Sequence, residues 1–366
     1  MKCVKEQDAS GWHGIPGMAG SVLSAVLLLA GLAQPAAAEH PGLEGTVSID
    51  PRVAKYAPES QVKGSLSVEG SDTMHALMSR LAAEFHSRQA DVKMVVKGGG
   101  SSQALKEFLK PVEFPKRIYA TDEERTRVRF IASSREMTES EIKQFAAEHG
   151  YEPMTIPVAI DAVALYVNKD NPVAGLTLDQ VDAIFSTTKN RGYKTEVAQW
   201  GQLGLTGGWE HAAIALYGRN KKSGTREFFK EHALAGGEFN PGLDEEPGSA
   251  SLILAISKDR LGIGYSGIGW RASTVRVVPL AESDGVPFIQ PTAESVSNQT
   301  YPLRRVLYLY VDKAPKAPLS PAAQEFLTFI NSRDGQEAVI KAGFFPLPAA
   351  QVEQSAVALQ NHTFIR

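Results

Sequence analysis

Four short segments of this chain combine glycine with hydroxyl or charged side chains. They are Gly70-Ser71-Asp72-Thr73, Gly98-Gly99-Gly100-Ser101-Ser102, Ser133-Ser134-Arg135 and Arg219-Asn220-Lys221-Lys222-Ser223-Gly224-Thr225. Residues of these kinds suit the capture of a small tetrahedral oxyanion. Such a guest needs many donors converging on a small volume, and loops that expose backbone N–H groups at helix starts provide them without a large positive surface. The spacing argues against a one-loop phosphate site, so the set carries the signal. The glycine run ends in no Gly-Lys-Ser/Thr and does not read G-x-G-x-x-G, which disfavours nucleotide binding. Taken alone, it reads equally well as a flexible turn with a serine helix cap.

Arg219 precedes Ser223-Gly224-Thr225 by four residues, which sets a guanidinium, two hydroxyls and a helix start within one loop. A guanidinium can meet two phosphate oxygens at once, so the contact is selective as well as strong. The alternative makes Arg219 a surface ion pair and Ser223 a plain cap. Asp72 is the odd member, because a carboxylate beside an anion site repels the ligand. A hydrogen-bearing phosphate resolves this: ionised Asp72 accepts its proton, whereas fully ionised sulfate has none to give. Asp72 can also be read as a cap for the helix starting at Met74. Arg135 is the expected cation holding Asp72 ionised. Asp161, inside an apolar strand, is costly unless paired and reads as support for a hinge.

These residues need a scaffold. Leu66-Ser67-Val68 reads as a strand, followed by a turn and a helix over 74–89 with Leu77, Met78, Leu81 and Phe85 at helical spacing. Strand, hydroxyl-bearing turn and helix recur at 92–109 and 128–149. This alternation predicts a parallel α/β sheet with ligands beyond the C-terminal strand ends. A long apolar strand at 156–168 leads into a second α/β segment: a helix capped by Thr177, a strand at 214–217, a helix at 224–232, a helix at 249–257 and a strand at 262–266. A second long apolar strand follows at 303–311, then helices at 322–330 and 335–342. Two long strands flanking a middle segment predict a hinged, discontinuous pair of lobes. Residues 39–63 read as a loosely structured leader, and 110–126 as a charged, proline-broken surface excursion.

The 366 residues are 43% hydrophobic and 22% charged, with a formal net charge of −3, so the whole molecule offers no basic field for nucleic acid or acidic membrane. Lys2 and Lys5, an apolar run over 18–33 and Ala36-Ala37-Ala38 read as a secretory signal with an Ala-x-Ala cleavage site. The only cysteine, Cys3, lies ahead of that run, so the mature chain is expected to hold no disulfide or thiolate metal site. The histidines show no metal-type clustering. Gly264-Tyr265-Ser266-Gly267 is one position short of a nucleophile elbow.

Val68-Glu69-Gly70-Ser71-Asp72-Thr73-Met74, the Gly98–Ser102 loop, Ala132-Ser133-Ser134-Arg135-Glu136-Met137, Asn168-Lys169-Asp170-Asn171-Pro172 and the Arg219–Thr225 loop together resemble, in order, the periplasmic phosphate-binding proteins of the phosphate ABC importer. The resemblance runs from Leu66 to Pro348. It implies an α/β fold of the type II periplasmic binding protein class: two lobes, each a mainly parallel sheet flanked by helices, hinged by two crossing strands. The expected division is a signal peptide over 1–38, a leader over 39–63, lobe I over 64–165 and 291–350, lobe II over 166–290 and a tail over 351–366. It further implies a periplasmic monomer that binds inorganic phosphate without a cofactor or metal and serves an ABC permease and ATPase. Carried over, the anion contacts fall on Asp72, Thr73, Ser101, Ser134, Arg219, Ser223, Gly224 and Thr225, with Arg135 beside them. Many members have Ser-Asp where this chain has Ser134-Arg135, so Asp72 takes the proton-accepting duty here. A secreted phosphate-ester hydrolase, or a phosphate-sensing or attachment protein of the same fold, is the alternative. The hydrolase would need a metal cluster or an activated nucleophile.

Overall fold

The computed structural model describes residues 47–58, 60–110 and 128–360. The export signal expected over 1–38, the first residues of the leader, the excursion from 111 to 126 and the last six residues of the tail lie outside the described residues. Everything below concerns the compact unit that begins at Glu39.

Lobe I grows from β1 (Gly64–Gly70), α1 (His75–His86), β2 (Val92–Lys97), α2 (Ser101–Phe108), β3 (Val128–Ser133) and α3 (Glu139–His149). Strand β1 lies between β2 and β3 and runs parallel to both. Helix α1 covers this sheet because Leu77, Met78, Leu81 and Phe85 recur on one face, and all four are buried. At α3, Thr138 and Glu141 form a reciprocal capping box that fixes where the helix begins.

The next strand, β4 (Met154–Asn168), joins the two halves. Residues 154–162 pair antiparallel with β11 (Arg304–Val311), and residues 163–168 pair antiparallel with β8 (Gly262–Gly267) and β9 (Val275–Val278). Lobe II then comprises β5 (Leu176–Thr177), α4 (Leu178–Phe185), β6 (Ala215–Arg219), α5 (Gly224–His232), β7 (Asp244–Glu246), α6 (Ser249–Lys258), β8, β9 and β10 (Leu280–Ala281), and α7 (Ala293–Ser297), expected with lobe I, packs Val296 into the same core as these elements. Its central strand β6 is parallel to β7 and β8. The sheet order β2-β1-β3-β11-β4-β8-β6-β7 thus places a parallel trio in each lobe and the antiparallel pair β11 and β4 between them. The chain closes with α8 (Pro321–Ile330), α9 (Arg333–Lys341) and α10 (Ala349–Gln360).

Apolar side chains from β1, β3, α1, α8 and α9 build the core of lobe I, and a larger core surrounds the second half of β4 in lobe II. The later part of the leader is not loose. Val53 is buried, Tyr56 donates its hydroxyl to Glu325 at 2.7 Å, its N–H donates to Asp334 at 2.9 Å, and the Arg333 N–H donates to the Ala54 carbonyl at 2.7 Å. The stretch is strapped to α8 and α9, elements nearly three hundred residues downstream, so no local periodicity announces its order.

Candidate anion site

In each parallel trio the central strand ends at the cleft: β1 delivers the Gly70–Thr73 turn and β6 delivers the Arg219–Thr225 loop. The loops leading into α1, α2 and α5 therefore meet. Gly224 heads α5, and a Cβ added to it would lie 2.7 Å from Ser101 Oγ and 3.0 Å from Ser134 Oγ. Glycine is required there because two serine hydroxyls occupy the space a side chain would take. Gly100 meets a similar constraint: its φ of +91° suits glycine, and a Cβ would collide with the Lys222 carbonyl across the cleft. The Ser102 N–H donates to that carbonyl at 3.0 Å, which ties the two loops together.

The hydroxyls form two pairs. Ser101 Oγ lies 3.1 Å from Ser134 Oγ and accepts from the Ser134 N–H at 3.1 Å. Thr73 Oγ1 lies 2.8 Å from Thr225 Oγ1. A distance of 3.5 Å between Ser134 Oγ and Thr225 Oγ1 brings the two pairs into one buried cluster. The first N–H groups of α2 and α5 have no acceptor within their helices. Two positive helix ends facing one another repel, and an anion held between them relieves the repulsion.

Asp72 and Arg219 join across the cleft, with Arg219 Nη2 donating to Asp72 Oδ2 at 3.1 Å. The other carboxylate oxygen accepts from the Gly99 N–H at 3.0 Å, so Asp72 is turned toward the glycine loop rather than capping α1. Ser71 Oγ instead accepts from the Met74 N–H. Arg219 also donates from Nη1 to Ser249 Oγ at 2.8 Å, and its Nε is buried with no partner among the described residues. Burial pushes the Arg219 guanidinium below its ordinary pKa, while Asp72 works in the opposite direction. Ser223 caps α5 by accepting from the Arg226 N–H at 3.4 Å.

The reading of Arg135 is corrected. Its guanidinium donates to both carboxylate oxygens of Glu141 at 2.7 Å and to the Glu136 carbonyl, so Arg219 is the cation on Asp72. The Thr138-x-x-Glu141 capping box draws the glutamate back to the helix start, where Arg135 is the nearest cation. Lys221 and Lys222 are exposed. Thr73, Ser101, Ser134, Arg219, Ser223, Gly224 and Thr225 are brought together with Asp72. Among the described residues, no group of three or more His, Cys, Asp or Glu is arranged to hold a metal ion.

One residue escaped the sequence reading. Arg305 stands directly opposite Asp161 in the β11–β4 register and donates to Asp161 Oδ2 from Nη2 at 2.7 Å and from Nε at 3.0 Å. Both side chains are buried, and the same Nη2 also donates to Thr225 Oγ1 at 3.0 Å. Asp161 is thus paired between the two long strands, which offsets the cost of burying a carboxylate there. The matching signal was a charged residue inside the other long apolar strand.

A family model described as a PBP superfamily domain matches residues 56–334. The chain is similar to phosphate-binding protein PstS of Pseudomonas aeruginosa, with 42% identity over 308 residues covering 84% of this chain and 91% of the relative. It is also similar to phosphate-binding protein PstS of Bacillus subtilis, with 26% identity over 83% of this chain and 87% of the relative. Among solved structures, it is similar to a Clostridium perfringens substrate-binding protein with bound phosphate, at a TM-score of 0.61 and 23% identity, covering 78% of this chain and 100% of that one. An ABC-type phosphate transport receptor from Vibrio cholerae gives a TM-score of 0.54 at 22% identity, covering 77% and 100%. At such identities the two structures bear on the fold.

Proposed function

The chain belongs to the PBP superfamily, in the family of phosphate-binding protein PstS, and from that premise we propose that it captures inorganic phosphate between its lobes and delivers it to the permease and ATPase of an ABC importer. The family is one of substrate-binding transport proteins rather than enzymes. The observation that carries the reading is the meeting of Asp72 and Arg219 across the cleft, beside two hydroxyl pairs. In this reading Thr73, Ser101, Ser134, Thr225 and the α5 N–H groups of Gly224 and Thr225 donate to phosphate oxygens, Ser223 holds the helix start and Arg219 supplies charge. Asp72 accepts the proton of a hydrogen-bearing phosphate on a remaining lone pair. The basic, apolar and Ala-x-Ala sequence at residues 2–38 supports export to the periplasm. Closing the lobes over the anion is a hinge motion, and contacts from both sides stabilise the closed state.

Calorimetric titration tests this. Wild-type protein is expected to bind phosphate and to reject sulfate, because Asp72 repels an anion that has no proton to share. Hydrogen bonds to charged groups contribute about 1.5–3 kcal/mol each, so Arg219→Ala should weaken phosphate binding roughly 10- to 100-fold. Asp72→Ala should weaken it sharply and narrow the gap to sulfate. Near-normal phosphate affinity in both variants would refute the site.

A further inference from the structure

We propose that Arg305 is a positioning residue of this site: through Thr225 it turns the Thr73–Thr225 hydroxyl pair into a donor aimed at the bound phosphate. The inference rests on the preceding reading and assigns a role to a residue outside the glycine-rich loops.

A guanidinium has donors and no acceptor, so the 3.0 Å contact between Arg305 Nη2 and Thr225 Oγ1 has a single direction. It fills one lone pair of Thr225 Oγ1. The other neighbours of that oxygen are Thr73 Oγ1 at 2.8 Å and, at the longer distance of 3.5 Å, Ser134 Oγ. If Thr225 donates to Thr73, the Thr73 proton is left over; if Thr73 donates, Thr225 is filled and its own proton is left over. Counted over the cluster, four hydroxyl protons share three mutual contacts, so at least one is in excess, and the chain of donors that begins at a cation polarises it. A free hydroxyl pair can present either a lone pair or a proton to a guest, whereas this one is biased toward donation. The neighbouring pair follows the same rule, since the Ser134 N–H fills a lone pair of Ser101 Oγ.

The placement of Arg305 is fixed independently. Asp161 holds it from the opposite strand, and its guanidinium carbon lies 5.2 Å from the centre of the Phe228 ring on α5. Gly267 shows how close this pair is to the first turn: a Cβ there would lie 2.7 Å from both Asp161 Oδ2 and the Thr73 methyl. The remaining Arg305 nitrogen, Nη1, is buried with no partner among the described residues, so donor capacity is left beside the hydroxyl cluster. Arg305 thus touches a hinge strand of lobe I and the first turn of the lobe II helix that heads the site. Its bond to Thr225 forms where the lobes come together.

The test is a double-mutant cycle on the full chain, read by calorimetric titration with inorganic phosphate. Arg305→Met and Thr225→Val should each weaken binding roughly 10- to 100-fold. The double variant should be no more than about threefold weaker than the worse single, because the two residues act through one hydroxyl. Losses that multiply would overturn the proposal, as would wild-type affinity in Arg305→Met. Arg305→Lys keeps the charge beside Asp161 but lacks the fork that spans two acceptors, so a loss of roughly tenfold with a near wild-type melting temperature is expected. Full affinity in that variant overturns the proposal. Should Arg305→Met fail to fold, Arg305→Lys with Thr225→Val completes the cycle under the same criterion. A wild-type chain that takes up no phosphate sinks the preceding reading, whereas phosphate binding with multiplicative losses sinks only this one.

Discussion

Two aspartate–arginine pairs of this molecule share their chemistry and differ in their surroundings. Asp72–Arg219 spans the cleft, linking a turn of one lobe to a strand end of the other, with the Asp72 side chain 26% exposed and the Arg219 side chain only 1%. Asp161–Arg305 links the two long antiparallel strands between the lobes, with 0% and 2% exposure. A fully exposed ion pair contributes about 0–1 kcal/mol, and the first pair meets solvent only through Asp72, while Arg219 keeps Ser249 and the Pro247 carbonyl as further acceptors, so it is the easier of the two to part. Removing one member of a buried pair leaves an uncompensated charge and costs about 3–5 kcal/mol, so the second stays made. One pair is suited to be a latch and the other a fixed post.

The comparison breaks most visibly at the post. Asp161→Asn should destabilise the folded protein by about 3–5 kcal/mol, read from urea unfolding midpoints; a loss below 1 kcal/mol would mean that Arg305 finds another partner. Next in size is Gly224→Ala, which drives a methyl group into Ser101 and Ser134 without touching the hinge pair. Overpacking of this kind costs about 1–3 kcal/mol, and here it should appear as lost phosphate affinity, with the unfolding midpoint of the unliganded protein nearly unchanged. Smaller still is the stability change in Asp72→Asn, expected within about 1 kcal/mol in the same urea experiment. A drop matching that of Asp161→Asn would erase the distinction between latch and post.

The smallest effect concerns Arg135, the arginine that joins neither pair. Burial pushes Glu141 up, but the Arg135 guanidinium and the Thr138 N–H outweigh it and hold the carboxyl below its ordinary value of 4.5. A carboxyl depressed by folding contributes stability that is complete above 4.5 and lost as pH falls through the folded value. Unfolding midpoints followed from neutral pH down into the acid range should therefore decline less steeply in Glu141→Gln than in wild type. Parallel curves would show that the pair contributes nothing.

Much of this architecture was legible because its signals are local. The helix over 224–232 follows from a serine cap and a polar start, and Thr177 sets the α4 start through a capping box with Gln180. The four loops could be grouped because each follows a strand of a parallel set, whose C-terminal ends gather along one edge. What escaped depends on register or on distant partners. Arg305 meets Asp161 only because β4 and β11 align those two positions, 144 residues apart, and no local pattern encodes that alignment. Arg135 misled for the opposite reason: nearness in sequence to the site said less than a glutamate six residues away in a capping box.

Strand β4 has one more implication. Its fifteen residues pair with β11 along one half and with β8 and β9 along the other. Cutting the gene into two pieces, one per lobe, would strip half of that ladder and leave an apolar strand with bare amides and carbonyls, a template for sticking to other chains. The halves are thus bound to be made, folded and inherited as a single object, whatever freedom they have to swing.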